Sequence, residues 1–494
     1  MGSIVLLLLG TVTLHAQHDG WSYPVEFARV SFEGSLQTAV LVNDMSGILH
    51  AFWPMTPNVD EEPYAVYHRA WVDGQWTDPV DVVLASFPFS VVVDHNNMIH
   101  LFWQENGTIR RSMVHATQAG NAHNWTAPDT LPTKYQAGVT PIGVEARPGG
   151  GLYLAYGDSS ATRIQFMATV DGAHWEESDV AADPANGLWL VGPTIAVAPN
   201  NDVLLSWKEV ISEAGYRSLQ SSLEAQGALF SGYTLGVYYS RSVDQGTTWD
   251  APQLLQDGYY GARFATVGGR LVRLVGGGLG VGGRLISFSP DSGYTWSEAR
   301  EIGIGGAEGM QGIGVVEDSA GNQHFMIESG MSFAQVSWDG ETWSDALYVL
   351  PPAEMEDCCI TGGQVTENAV MGITEGNLLH VIFEEANSVL WYAQRRLDTP
   401  TEPVVMLPTP AQALALAASQ YPAKGANIAQ DTISVPLALS EQKQIRPGID
   451  SFGKDRTSSA GVSPLFVSVA APLMMLLLVF AAVGWKRNRR DRTR

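Results

Sequence analysis

Cysteine is almost missing from this 494-residue chain: there are two, Cys358 and Cys359, adjacent in PAEMEDCCITGG. Neighbouring thiols cannot staple distant elements, so no disulfide framework holds the fold, and the pair is either a strained vicinal ring or two free thiols. Positive charge is scarce too, with 28 Lys plus Arg against 51 Asp plus Glu and a net of −23. That balance excludes a protein that tracks nucleic-acid phosphates. With 45% hydrophobic, 10% aromatic and 16% charged residues, the chain is neither disordered nor a polytopic membrane protein. The basic residues are unevenly placed: residues 486–494, KRNRRDRTR, hold six of them and one acid.

The ends differ from the middle. Residues 4–14, IVLLLLGTVTL, followed by HAQ, read as the apolar core and small-residue end of a secretory signal over 1–17 that lacks the usual basic start. A buried N-terminal strand is the competing reading. Residues 464–485 contain no charge and precede the basic tail 486–494, the pattern of a single transmembrane helix with a cytoplasmic tail and the N-terminal side outside. Between them, 398–463 is rich in Pro, Ala, Ser, Thr and Gln, and as a flexible stalk it would reach about 45 Å. This leaves 18–397 as the folded domain.

That domain is repetitive. Short turn motifs end on a tryptophan: WVDGQW at Trp76, NAHNW at Trp125, TVDGAHW at Trp175, SVDQGTTW at Trp249, SPDSGYTW at Trp296 and SWDGETW at Trp343. Trp21 opens WSYPVEF, which matches the segments that follow the other tryptophans, and the spacings from Trp21 onward are 55, 49, 50, 74, 47 and 47. An insertion at about 208–234 accounts for the outlier. A second motif recurs seven times: ILHAFW, MIHLFW, LYLAY, VLLSW, LVRLV, QHFMI and LLHVIF. Seven four-stranded antiparallel units predict an all-β, seven-bladed β-propeller, with residues 21–27 supplying the outer strand that the last unit lacks.

SVDQGTTW and SPDSGYTW resemble the Asp-box, S-x-D-x-G-x-T-W, of sialidases and related bacterial-neuraminidase-repeat propellers, and the likeness extends over about 380 residues. It implies structural roles for Asp171, Asp244, Asp291 and Asp339, for Gly246 and Gly293, and for Trp249, Trp296 and Trp343, on the face opposite the active site. Its six-bladed form is the alternative to seven blades. The resemblance further implies an arginine clamp and a Tyr nucleophile assisted by Glu. Arg29 in FARVSF, Arg217, Tyr260 and Arg263 in DGYYGARF are the residues available for those roles, and a third converging arginine has no assignment beyond these.

Aligning the second motif puts Trp53, Trp103, Tyr156, Trp207 and Phe383 at one register, with Glu105, Asp158, Glu209 and Glu385 two residues later on the same strand face. These nine residues predict an acidic, aromatic-lined rim at the channel mouth, suited to sugar hydroxyls. The carboxylates would also suit Ca2+, though no cofactor is required. His50, His100, His324 and His380 fall three residues before the aromatic; equivalent positions in separate blades cannot meet on one ion, so they read as packing residues rather than a metal site. The expected function is binding of a glycan or other surface ligand outside the membrane, with an exo-acting sialidase-like hydrolase and a protein-interaction scaffold as the alternatives.

Overall fold

The computed structural model describes residues 20–402 apart from 31–34, 38, 57–63, 87, 139, 186, 213–233, 258–261, 277–283, 303–313, 330–331, 352–353, 356–364 and 386–387. The expected signal, most of the stalk, the apolar span and tail, Arg217, Tyr260 and both cysteines lie outside the described residues. Among those described, no helix is long and apolar enough to cross a membrane.

Seven antiparallel sheets make a seven-bladed β-propeller. Blade 1 comprises Val40–Asn43, Leu49–Thr56, Tyr64–Val72 and Val80–Ala85, with short additions at Ser35–Leu36 and Gln75–Trp76. Blade 2 is Phe89–Val93, Met98–Glu105, Thr108–His115 and Asp129–Thr130. Blade 3 is Gly143–Ala146, Leu152–Gly157, Arg163–Thr169 and Glu176–Ala182, and blade 4 is Leu188–Val197, Val203–Ile211, Thr234–Ser242 and Gln253–Asp257. Blade 5 follows with Ala262–Val267, Arg270–Gly276, Arg284–Ser289 and Arg300–Ile302, then blade 6 with Val315–Glu317, Gln323–Ser329, Ser332–Trp338 and Leu347–Tyr348. In blade 7, Val365–Thr374, Leu378–Glu385 and Val389–Arg396 are completed by Val25–Arg29 from the start of the chain.

The second motif is the second strand of every blade, and it is buried on both faces, as Leu378–Glu385 shows along its whole length. First strands of successive blades neighbour one another round the ring and line its axis. Closure joins the two ends: Val25 pairs with Tyr392, Arg29 with Val389, and Trp21 bridges to Arg395.

The repeated tryptophan fills the seam with the preceding blade. Trp125 packs edge-on to Phe52 at 6.0 Å, Trp175 to Phe102 at 6.5 Å and Trp249 to Phe166 at 5.0 Å. Trp21, 0% exposed, does the same for blade 7 against Met326 and Phe333. An aspartate holds the turn before each of the later tryptophans. Asp244 accepts from the Thr248 amide at 2.8 Å and hydroxyl at 2.6 Å, and Asp291 accepts the matching pair from Thr295, both at 2.7 Å. Asp339 accepts from the Glu341 and Thr342 amides, and Asp171 from those of Ala173 and His174. Hydrogen bonds from Thr248 hold the Asp244 carboxyl down at about 2, and the amides of Thr342 and Glu341 do the same for Asp339. Glycine is needed at Gly246, with φ +94, because a Cβ there would sit 2.0 Å from the Phe166 ring of the preceding blade.

Candidate functional site

An antiparallel meander sends the connections between strands 1 and 2, and between strands 3 and 4, to one face of the ring. Those between strands 2 and 3, and from strand 4 to the next blade, go to the other. The first, or turn face, carries turns of 2–5 residues after strand 1 and connections of 6–13 residues after strand 3, held by internal hydrogen bonds. In blades 1, 2 and 6 the turn after strand 1 carries an aspartate six residues before the repeated histidine. His100 Nε2 lies 3.2 Å from Asp94 and His324 Nε2 lies 2.9 Å from Asp318, while His50 and Asp44 are looser at 3.6 Å. In blade 7 Thr374 replaces the aspartate, 2.7 Å from His380 Nε2. Burial opposes ionisation of Asp94 and Asp318, yet hydrogen bonds from the histidines and from turn amides hold both below the usual carboxylate range. The histidines brace turns, and among the described residues no group of three or more His, Cys, Asp or Glu is placed to hold a metal ion.

On the opposite, long-connection face the strands stand furthest apart in sequence, Ile211 from Thr234 in blade 4 and Tyr348 of blade 6 from Val365 of blade 7. In loops, the backbone is released from the repeat and side chains are free to specialise. Where this face is described, the link 131–142 is laced to the ring: the Ala137 amide donates to Gly107 at 2.8 Å and the Ser159 amide to Gln136 at 2.7 Å.

The expected aromatic rim is corrected by this geometry. Trp53, Trp103, Tyr156, Trp207 and Phe383 are all buried, each in the seam between its blade and the preceding one. Strand 2 is one place removed from the axis, so its side chains fill blade cores and the first strands form the channel wall. Of the acids two residues on, Asp158 closes its own turn, accepting from the Thr162 and Arg163 amides at 2.7 and 2.9 Å. Glu385 is buried and accepts from Trp391 Nε1 at 2.9 Å. Glu105 pairs with Arg110 at 3.5 Å and is partly exposed. Glu209 is half-buried at the base of the 212–233 connection; burial pushes its carboxyl up against a hydrogen bond from Tyr238.

The arginines do not assemble into a clamp. Arg29 is on the outermost strand of blade 7, exposed and paired with Glu26 at 2.8 Å. Arg263 is on the innermost strand of blade 5, near the long-connection end, where burial lowers its pKa without threatening its charge. A tyrosine–glutamate pair does occur, Tyr156 Oη donating to Glu177 at 2.6 Å, but the tyrosine is buried in the seam between blades 2 and 3 while Glu177 is partly exposed. Burial, and then the Glu177 carboxylate, push that phenol far up, away from any nucleophilic role. Glu145, on the innermost strand of blade 3, was not visible in sequence because GVEA carries no repeated motif; burial pushes its carboxyl up to about 7.

Neither a protein-family model nor any curated protein sequence matches the chain. Among solved structures it is similar to a protein of unknown function from Dyadobacter fermentans, at 12% identity and TM-score 0.44 over 76% of this chain and 100% of that one. An ulvan lyase, a polysaccharide lyase bound to -[GlcA(1-4)Rha3S]-, is similar at 10% identity and TM-score 0.47, over 74% and 94% of the two chains. A mutant sialidase from Streptococcus pneumoniae is similar at 12% identity and TM-score 0.39, over 73% and 68%. All three TM-scores are below 0.5, and these likenesses carry no argument about ligand or chemistry.

Proposed function

We propose that the propeller binds a glycan at its long-connection face, outside the membrane, without hydrolysing it. The observation that carries this reading is the asymmetry of the two faces: repeated Asp-braced turns on one, and on the other the wide separation of Ile211 from Thr234 beside Glu209, with Glu105 and Arg263 near strand ends on the same face. Partly buried carboxylates and a guanidinium suit hydroxyl-rich ligands, because a carboxylate accepts from sugar hydroxyls and a guanidinium donates to them. Hydrolysis of a sialoside needs converging arginines to position and neutralise the substrate carboxylate, and Arg29 and Arg263 lie on opposite edges of their blades. The signal-like 1–17, the stalk and the charge-free span 464–485 support display of this face from a membrane. A glycan array probed with the full-length protein tests the reading. Binding that weakens in Glu209→Gln is expected, and an array with no hits would instead favour a protein-interaction scaffold.

A further inference from the structure

On the turn face, a cavity of about 290 Å³ opens between blades 2 and 3. Repeat symmetry is broken there. In blades 6 and 7 the repeated histidine uses both ring nitrogens, Nε2 on the turn and Nδ1 on a side chain of strand 3; in blade 1 His50 Nδ1 is partnered in the same way, while its Nε2 stands 3.6 Å from Asp44. The partners are His68 at 2.9 Å from His50, Gln335 at 2.8 Å from His324 and Tyr392 at 2.8 Å from His380. Each partner stands two places before the residue that pairs with the histidine across the sheet. The same position in blade 2 is Arg111, which turns away to the Asp129 carboxylate and to the Gly172 carbonyl, 2.7 Å off. His100, 3% exposed, is thereby left with Nδ1 unpartnered, and both His100 and Arg111 border the cavity.

We propose that this cavity binds a neutral, hydroxyl-bearing ring the size of one monosaccharide, a site separate from the long-connection face. His100 Nε2 is engaged by Asp94, which leaves the buried, unpartnered Nδ1 as the ring nitrogen that a ligand hydroxyl would satisfy. Charge is already spent. Asp94 also accepts from the Asn96 and Met98 amides, Asp171 accepts from the Ala173 and His174 amides and the His174 ring, and Arg111 is held by Asp129 and Gly172. His95 Nδ1 is likewise engaged, by the Gly151 amide at 3.3 Å. With Met98, Met113, Leu152 and Val170 completing the wall, the site offers one buried acceptor beside apolar surface, which matches a sugar's hydroxyl edge and C–H face better than an ion. Close packing beside the pocket requires glycine: a Cβ on Gly151 would lie 1.9 Å from the Thr169 carbonyl oxygen, and one on Gly150 would lie 2.7 Å from the His95 ring.

The test is methyl NMR on the full-length protein carrying ¹³C-methyl methionine, titrated separately with the methyl pyranosides of glucose, galactose and mannose, with inorganic phosphate and with tetramethylammonium. At least one pyranoside should shift the Met98 and Met113 methyls saturably, while phosphate and tetramethylammonium should not. Val170→Trp plugs the rim from a position 62% exposed, so it leaves the core intact, and it should weaken binding by about tenfold or more. His100→Phe should do likewise, and if that variant fails to fold, Val170→Trp decides alone. Glu209→Gln should leave these shifts unchanged, which separates this site from the long-connection face. The proposal is overturned if no pyranoside moves the two methyls, if Val170→Trp does not weaken the response, or if only phosphate or tetramethylammonium produces it.

Discussion

Val25 pairs with Tyr392, so the first strand of the ring is the outer strand of its last blade, and Trp21 fills the final seam. Removing this latch exposes an unpaired edge and empties a core. Trp21→Ala is expected to destabilise the propeller by about 3–5 kcal/mol in chemical denaturation. Deletion of residues 18–30 should cost more; a deletion variant as stable as the parent would show that the ring is closed in some other way.

A second latch joins blades 4 and 5. Arg241 meets Asp202 at 2.7 Å, both nine-tenths buried, donates to the Ser292 carbonyl at 2.9 Å, and lies 4.2 Å from the centroid of the Tyr294 ring. Arg241→Ala strands the buried Asp202 carboxylate and should cost about 3 kcal/mol. Adding Asp202→Leu should restore part of that loss, and strictly additive costs would mean that the two groups act independently.

Acid should loosen the ring through its buried imidazoles. Burial, and then the proximity of His50, hold His68 down at about 3, while burial and then Arg396 do the same for His380. The unfolded chain therefore binds more protons than the folded one between about pH 6.5 and 3, so stability falls as pH drops through that window. Each histidine contributes roughly 2 kcal/mol of this loss by pH 5. Comparing urea midpoints at pH 7 and pH 5 checks it: the difference should shrink in His380→Gln, and equal midpoints in the wild type would refute the burial argument.

Much of this architecture was legible in the sequence, for reasons that particular residues make plain. Trp21 and the six later tryptophans are all seam fillers, so their spacing counted the blades, and the repeated LLHVIF and MIHLFW marked second strands that the structure shows to be buried on both faces. That same property misled the reading of the site. Alternation distinguishes a wet face from a core only when one side is wet, and in strand 2 neither is, so Trp103 and Trp207 looked like a rim and are core. Arg29 shows a different limit: nothing in FARVSF reveals that its strand is the outermost in the last blade. The His100 vacancy needed the register of strand 3, because Arg111 is unusual only beside His68, Gln335 and Tyr392.

Membrane display has its own check. If 398–463 is the proposed stalk, protease treatment of intact cells should release a fragment that ends within it and retains the propeller, because this segment, rich in Pro, Ala, Ser, Thr and Gln, precedes the apolar span. Release only after lysis would place the propeller on the other side of the membrane.

The central claim is that the long-connection face holds a glycan and leaves it intact, and titration calorimetry of the full-length protein with an array-selected glycan tests it most directly. Glu209→Gln removes a half-buried, charge-bearing acceptor without changing its shape, and should weaken affinity by about tenfold, or 1.4 kcal/mol, with the glycan recovered whole. Unchanged affinity in Glu209→Gln would contradict the placement of the site. Release of free sugar that disappears in Arg263→Ala would contradict the claim of binding without hydrolysis.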